Sequence, residues 1–498
     1  MSASLVWLLD GITTVPNLES RDILDLTLDS REARAGSLFF ALPGHSRHGL
    51  EFAAEAAARG AGVVLWEPRA DAELPKLPAS VFAAAIPGLG DLVGRIADRF
   101  FGWPSSQLRV TGITGTNGKT TCAYLLAQCL ERLGSSAAYI GTLGWGRTAS
   151  LAPSPLTTPD VVTLHRELAQ LKADGVREVA MEVSSQALDQ DRVAGVRFHS
   201  AAFTNLSRDH LDYHETMDAY SAAKARLFAV PDLKHLVVNV GDAAGREFAR
   251  RLGGRVPLTA VWIGAGDSGW LAESALRATH VTLNVQGVSL QLDGSFGKTE
   301  ANTRLLGRFN AENSLVAIAC LLSQGISLDE AARVLAQCVP PPGRMEVVEA
   351  TAAGKPQPMA VVDYAHTPDA LAKALSALRE HCRGSLWCVF GCGGDRDPGK
   401  RSLMGAVADE LADQIIVTDD NPRSENPAVI TRAIVSGIRS HGVRIIHDRG
   451  AAIATALKEA HPIDAVLIAG KGHEEYQIYG DTRRSFSDRR EVTRAVTS

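Results

Sequence analysis

The chain has 498 residues, material for roughly three domains of ordinary size. Hydrophobic residues make up 45% and charged residues 21%, an ordinary globular balance. A net charge of −5 without a long basic run argues against nucleic acid as a main partner, and no apolar stretch reaches the length of a membrane span. Leu5–Leu9 is too short for the core of a secretory signal. The seven scattered cysteines fit reduced thiols in the cytoplasm better than disulfides or a zinc site.

In chain order, residues 1–105 read as a small α/β unit, with apolar runs Ser37–Ala41 and Gly62–Trp66 around an alanine-rich helix, Glu51–Arg59. Pro104–Ser106 reads as a linker. The apolar segment Leu108–Ile113 then leads into TGITGTNGKTT, Thr111 to Thr121. Beyond it Cys122, Leu125, Leu126, Cys129, Leu130 and Leu133 recur at helical spacing, and Gly134 is a natural stop. Strand, glycine loop and helix in that order suit a polyphosphate. Gly115 and Gly118 permit a tight turn with inward N–H groups, Lys119 adds positive charge, and the helix N-terminus adds its dipole. The Thr120 hydroxyl can ligate Mg²⁺. The common G-x-x-x-x-G-K-[ST] pattern would need glycine at position 113, where Ile113 stands, so Lys119-Thr120 at the strand–helix junction carries the inference.

Further strands are expected at Glu178–Val183 and Leu236–Val240. Glu182 ends the first of these, where a carboxylate beside a phosphate loop commonly holds the nucleotide's Mg²⁺. His210, in TNLSRDHLDYH, is a candidate second ligand, a structural role being the ordinary alternative. Lys224 reads as a surface lysine on an alanine-rich helix. Pro340–Gly343 marks a boundary. After it, short apolar runs at Ala360–Val362, Leu386–Phe390, Gln414–Thr418, Arg444–His447 and Ala465–Ala469 alternate with helix-like segments, which predicts a mostly parallel sheet. Polar clusters follow most of them: Asp363–His366, Gly391–Arg396, Asp419–Arg423 and Gly470–Glu474. Ligands of open α/β sheets bind at the carboxyl ends of strands, so these clusters point to a second substrate-binding face, with plain loop polarity as the alternative.

GTNGKTT, MEVSS, TNLSRDHLDYH, GRFNAENSLVA (Gly307–Ala317), PPGRME (Pro341–Glu346), DYAHTPDAL (Asp363–Leu371), GCGGDRDPGKR, DDNPR and GKGHE together resemble the Mur ligases of peptidoglycan synthesis, nearest to their MurE branch. The resemblance runs over nearly the whole chain and is least sharp in the first domain. It implies three α/β domains: a UDP-substrate domain (1–105), a central P-loop domain (106–339) and a Rossmann-like amino-acid domain (340–498). It also implies a cytoplasmic ligase that uses ATP and Mg²⁺, and a monomer is expected because the three domains complete the site within one chain.

By the same resemblance Gly115, Thr116, Asn117, Gly118, Lys119, Thr120 and Thr121 cradle the phosphates. Asn310 meets the adenine, and Arg344 and Asp363 lie near the ribose and phosphates. Thr120, Glu182 and His210 bind metal, with Lys224 as a carbamate formed from CO₂. Leu28, Ser30, His45, Ser46 and Arg47 meet the uridine diphosphate end, and Thr157, Thr158, Ser184, Gln190 and Arg192 the sugar and peptide. Leu156 stands where relatives often carry asparagine, and Arg47 where a small residue is commoner. Arg396, Asp420, Asn421, Pro422, Arg423, Gly470 and Glu474 match the meso-diaminopimelate site. The physics agrees for Arg423, since a guanidinium can hold diaminopimelate's extra carboxylate by two charge-assisted hydrogen bonds. His366 or a nearby carboxylate is a candidate to take the amine's proton, a neutral amine being the alternative. Folylpolyglutamate synthetase shares the P-loop and a DYAH-like motif, but DNPR and GKGHE argue against it. A P-loop hydrolase or motor would need no amino-acid acceptor. Intact Lys119, Glu182, His210 and Lys224 argue against a catalytically dead binding protein.

Overall fold

The computed structural model describes residues 2–44, 47–69, 73–266, 272–284, 286–348, 356–440 and 442–497. The chain forms two compact units, one built from residues up to Ala260 and one from Ala275 onward. No helix of the described residues is long and apolar enough to cross a membrane.

The first unit begins with a parallel sheet of Asp25–Thr27, Ser37–Ala41, Val63–Trp66 and Phe82–Ala85, paired in chain order. Alternate side chains serve opposite faces, as the period of two requires. Leu38, Phe40, Val63 and Leu65 pack with Leu89, Val93 and Ile96 of helix Leu89–Phe100. Phe39, Ala41 and Val64 pack with Ala53 and Ala56. The helix expected over Glu51–Arg59 is shorter, Ala53–Ala58, because a 3₁₀ turn at Gly49–Phe52 precedes it. His48 and Glu51 form a capping box around that turn: the Leu50 N–H donates to His48 Nδ1, and Glu51 accepts from the His48 N–H. Pro104–Ser106 is a packed 3₁₀ turn rather than a loose linker, with Ser105 Oγ accepting from the Arg197 N–H at 3.0 Å.

A second sheet follows, in the order Ser150–Ala152, Gly144–Arg147, Ala137–Gly141, Glu178–Glu182, Arg109–Thr114, Phe198–Phe203, His235–Asn239. It is parallel from Ala137–Gly141 onward. The chain leaves Arg109–Thr114 toward one side of this sheet and reaches the other side at Phe198–Phe203, so the loop after Thr114 opens at the crevice where ligands of such sheets bind.

In the second unit, Ser274–Asn284, Gly287–Gly294 and Gly297–Thr303 make an antiparallel meander, followed by helices Arg308–Leu322 and Leu328–Leu335. Its other sheet runs Glu346–Val347, Met359–Asp363, Ala465–Ala469, Leu386–Phe390, Gln414–Val417, Val443–Ile445, parallel except for the first strand. Cys388, Phe390, Ile415 and Leu467 face the core that holds Leu371, Leu375 and Met404, and Trp387, Val389, Ile416 and Val466 face Ile453, Ala456 and Val492. The four polar clusters therefore stand at the carboxyl ends of four adjacent parallel strands, as the alternation of apolar runs and helices predicted.

Candidate active site

The glycine loop lies between strand Arg109–Thr114 and helix Lys119–Arg132. Gly115 is there for close approach: a Cβ would stand 1.9 Å from Thr204 Oγ1. Gly118 takes the left-handed conformation, φ +84°, immediately before the helix. The loop is braced from the neighbouring strand's end. Thr116 N donates to Asn205 O at 2.8 Å, and Asn117 N to Asn205 Oδ1 at 2.9 Å. Lys119 Nζ curls back to Gly115 O (3.0 Å) and Thr116 O (2.9 Å), leaving a positive charge at the helix N-terminus.

Thr120 Oγ1 donates to Glu182 Oε2 at 2.8 Å, so two expected metal ligands meet directly. Glu182 is buried at the end of its strand and is held by three further groups. Tyr139 donates a short hydrogen bond to Oε1, the Thr142 N–H donates to the same oxygen at 2.9 Å, and Thr142 Oγ1 approaches Oε2 at 3.4 Å. Tyr139 was invisible in the sequence, because a tyrosine in an apolar strand reads as core. A hydroxyl and a carboxylate are hard oxygen donors that suit Mg²⁺, which keeps few protein ligands and takes the rest from phosphate and water. No group of three or more His, Cys, Asp or Glu able to hold a metal occurs among the described residues.

Lys224, expected at the surface, is only 1% exposed. Its Nζ donates to Gly115 O at 2.9 Å and lies 4.3 Å from the centre of the Tyr220 ring. Desolvation, and then the Lys119 charge that shares the same carbonyl, push its pKa well below the lysine range. A buried amine that favours its neutral form is what carbamate formation requires, so the residue fits that chemistry. The sequence missed this burial because it depends on the glycine loop arriving from more than a hundred residues away. His210 takes a left-handed backbone, φ +52°, its ring 6.1 Å from that of Tyr220. Burial lowers its pKa, with Asp209 opposing and Lys119 and Lys224 adding to the effect. Tyr220 Oη bonds Thr116 Oγ1 at 3.1 Å. Lys224, Tyr220 and His210 thus gather on one flank of the loop, and Thr120 and Glu182 bond each other at its helix end.

A second network joins five of the expected substrate contacts. Thr157 Oγ1 bonds Thr142 Oγ1 at 3.0 Å. Thr158 Oγ1 donates to Glu182 O (2.9 Å) and accepts from Ser184 N (3.1 Å). Arg192 reaches Thr158 O at 3.2 Å and grips Gln190 Oε1. Tyr213, not singled out by the sequence, donates to Asp189 Oδ2 and accepts from Gln190 Nε2, both at 2.9 Å. Ser30 Oγ donates to Glu55 Oε2 at 2.8 Å, and Leu28 packs on the first domain's core. The Arg47 carbonyl accepts from Gly44 N at 2.9 Å. His45 and Ser46 lie outside the described residues.

In the second unit, Asp420, Asn421 and Glu474 meet around Lys471, whose Nζ lies 3.3, 3.1 and 3.0 Å from Oδ1, Oδ1 and Oε2 respectively. Lys471 is fully buried and was passed over in the sequence, although its place inside GKGHE was a usable signal. Asn421 Nδ2 donates to Glu474 Oε2 at 2.9 Å. Arg423 Nη1 donates to Gly394 O at 2.7 Å, Pro422 O lines the same loop, and Arg396 is exposed. Gly470 N donates to Asp363 O at 3.1 Å. Asp363 accepts from Met345 N (2.7 Å) and Ala365 N (2.8 Å), and its burial raises its pKa. Arg344 lies over the Tyr364 ring with its Nε buried and without a hydrogen-bond partner. Asn310 is buried in the first turn of its helix, donating to Leu306 O (2.7 Å) just before the helix and accepting from Asn313 (2.8 Å). His366 is exposed, its Nδ1 bonds Tyr364 O at 2.8 Å, and desolvation by the surrounding loops lowers its pKa.

Three family descriptions match the chain: "Mur ligase family, catalytic domain" over residues 23–96, "Mur ligase middle domain" over 113–321, and "Mur ligase, glutamate ligase domain" over 343–472. A UDP-N-acetylmuramoyl-L-alanyl-D-glutamate–2,6-diaminopimelate ligase of Alkalilimnicola ehrlichii is 46% identical over 96% of this chain and 95% of its own. The ligase of the same name from Ectopseudomonas mendocina is also 46% identical, over 96% and 95%. A solved structure of a ligase of that name superposes with a TM-score of 0.71 at 33% identity, covering 100% of this chain and 99% of the other. A folylpolyglutamate synthase of Mycobacterium tuberculosis shares the fold at a TM-score of 0.58 and 18% identity, over 75% of this chain and 91% of its own.

Proposed function

The chain belongs to the Mur ligase family, with its three-domain α/β fold, and from that premise we propose that it adds meso-2,6-diaminopimelate to UDP-MurNAc-L-Ala-D-Glu in peptidoglycan precursor synthesis, using ATP. The observation that carries the reading is the match at 46% identity over 96% of the chain to ligases of that name. The domains fall at 1–105, 106–339 and 340–498, a division supported by family matches at 23–96, 113–321 and 343–472.

The γ-carboxylate of the substrate's D-glutamate attacks the γ-phosphate of ATP, giving an acyl phosphate and ADP. The amine of diaminopimelate then attacks the acyl carbon, and phosphate leaves. Two anions must meet in the first step. Lys119, the loop N–H groups and the dipole of helix Lys119–Arg132 offset their repulsion and bind the charge that develops on the transferring phosphoryl group. Thr120, Glu182 and His210 would hold Mg²⁺, and a carbamate on Lys224 would be a ligand of a second ion. Bound there, the metal would neutralise phosphate charge. The orphaned Nε of Arg344 supports its reading as a nucleotide contact, and the GRFNAEN and DYAH motifs support Asn310 and Asp363. The hydrogen-bonded chain from Thr157 to Tyr213 supports Thr157, Thr158, Ser184, Gln190 and Arg192 as sugar and peptide contacts. Arg396 and Arg423 clamp the far carboxylate of diaminopimelate, and Glu474 with the Gly470 carbonyl holds an ammonium group. Substrates linked to a soluble nucleotide, together with scattered free thiols, support a cytoplasmic location.

Phosphate release from ATP with Mg²⁺ and UDP-MurNAc-L-Ala-D-Glu, with meso-diaminopimelate or L-lysine in parallel, tests the reading. Release that needs the dipeptide substrate and prefers meso-diaminopimelate is expected. A preference for lysine would overturn the amino-acid assignment, and release without any amino acid would favour a hydrolase.

A further inference from the structure

Arg423 holds a conformation that its sequence does not favour. Its φ is +53°, a left-handed backbone that few non-glycine residues adopt. Its N–H donates to Ile478 O at 3.0 Å and its carbonyl accepts from Gly480 N at 2.7 Å, so the backbone is pinned on one side by the following hairpin. On the other side stands the loop Gly393–Arg396, where Asp395 also has φ +53°. The two loops touch backbone to backbone, for a Cβ on Gly394 would sit 1.8 Å from Pro422 O.

They are tied reciprocally by side chains to which the reaction assigns no role. Asp395 accepts from Ser424 N at 3.1 Å and from Ser424 Oγ at 2.6 Å. Glu425 accepts from Asp395 N at 2.6 Å. The same carboxylate receives both Nη groups of Arg401, at 2.9 and 2.7 Å. Arg401 is buried, and its Nη2 also approaches Gly393 O at 3.4 Å. A bidentate guanidinium–carboxylate pair fixes direction as well as distance. Arg396 follows Asp395 and Arg423 precedes Ser424, so whatever fixes these loops also fixes the backbone of both arginines.

We infer that Asp395, Arg401 and Glu425 form a clasp that sets the position of the Arg423 guanidinium, and that they are specificity-determining positioning residues for an amino acid with a second carboxylate. This rests on the reading of Arg423 as the carboxylate clamp. Two strained residues side by side would relax without a tie, and a guanidinium displaced by an ångström loses its bidentate geometry.

The test is steady-state kinetics of the full-length Asp395→Asn and Glu425→Gln variants beside Arg423→Lys. In the two clasp variants the KM for meso-diaminopimelate is expected to rise about tenfold, while kcat and the KM for ATP hold within about twofold. An unchanged diaminopimelate KM, or all parameters moving together as in a loosened fold, overturns the inference. Arg423→Lys keeps the charge but loses the fork. A rise in diaminopimelate KM in Arg423→Lys alone leaves the clamp standing and removes the clasp, whereas no rise in Arg423→Lys removes the clamp reading and the clasp with it. Should Glu425→Gln unfold because Arg401 is left buried, Ser424→Ala removes one exposed hydroxyl contact and is expected to raise the same KM about threefold, no rise counting against the clasp.

Discussion

Lys224 in the first unit and Lys471 in the second are both withdrawn from solvent, and their surroundings could hardly differ more. Lys471 is matched by two carboxylates and an amide oxygen, Asp420, Glu474 and Asn421. Lys224 has one backbone carbonyl and the face of Tyr220, and no carboxylate stands within ion-pair distance of it among the described residues. The first arrangement commits a charge to structure. The second holds an amine where its charged form is disfavoured, which leaves it available for chemistry. Burial alone does not separate the two roles, whereas the partners do.

Replacing each lysine by methionine is the most direct way to break that contrast. Lys224→Met is expected to lower ligation by a factor on the order of a thousand while leaving the fold as stable as before or more so, since an apolar chain replaces a desolvated amine. Lys224→Ala should regain part of its turnover with a small added carboxylate, and wild-type turnover without one would sink the carbamate reading. Lys471→Met should cost about 3 kcal/mol in urea unfolding, because it leaves the buried Asp420 and the partly buried Glu474 without their shared cation. If Lys471→Met were as stable as the parent chain, or Lys224→Met clearly less stable, the division into structural and chemical lysines would fail.

A smaller effect sharpens the picture at the carboxylate proposed as a metal ligand. Glu182 is buried like Asp420, yet it is held by neutral donors, Tyr139, Thr120 and Thr142, which leaves its negative charge for a cation. Tyr139→Phe keeps the ring and its edge contact with Tyr124 and removes one donor. The Mg²⁺ concentration that half-saturates ADP binding, followed by calorimetry, is expected to rise about fivefold with little change in melting temperature. A shift in melting temperature with no change in the Mg²⁺ requirement would mark the hydroxyl as purely structural.

These contrasts also show where sequence reading succeeds. The glycine loop was legible because strand, loop and helix are local, and five third-domain strands were placed within two residues because apolar runs between polar clusters are local too. Helix Ala53–Ala58 came out short because His48 caps a turn that composition does not reveal. Lys224 misled because its helix is rich in alanine and polar in character, and only the distant Gly115 carbonyl and the Tyr220 ring explain its burial. Tyr139 and Tyr213 escaped for the same reason: a tyrosine's partner is set by tertiary approach, not by spacing.

Glu167 asks whether the lesson of Lys224 extends to an acid. On helix Val161–Ala173 it is 6% exposed, with its Oε2 unpartnered. Burial, helped by Asp160 and opposed by Arg166, raises its pKa to about 8. A raised acid stabilises the fold fully below its ordinary value of 4.5, and that contribution is lost as pH climbs through about 8. Asp98, raised to about 6 by burial, has the same sign but finishes at lower pH. His165, pushed down to about 4, has the opposite sign: its contribution is present above 6.5 and is lost as pH falls. Between pH 6.5 and 8, then, Glu167 is the group of the three still releasing its proton. Glu167→Gln has none to release, so its melting temperature relative to the parent chain should rise across that interval by about 2–4 °C. A gap that stays constant would mean that Glu167 is ionised throughout, and that an unpaired buried acid here, unlike Lys224, keeps its charge.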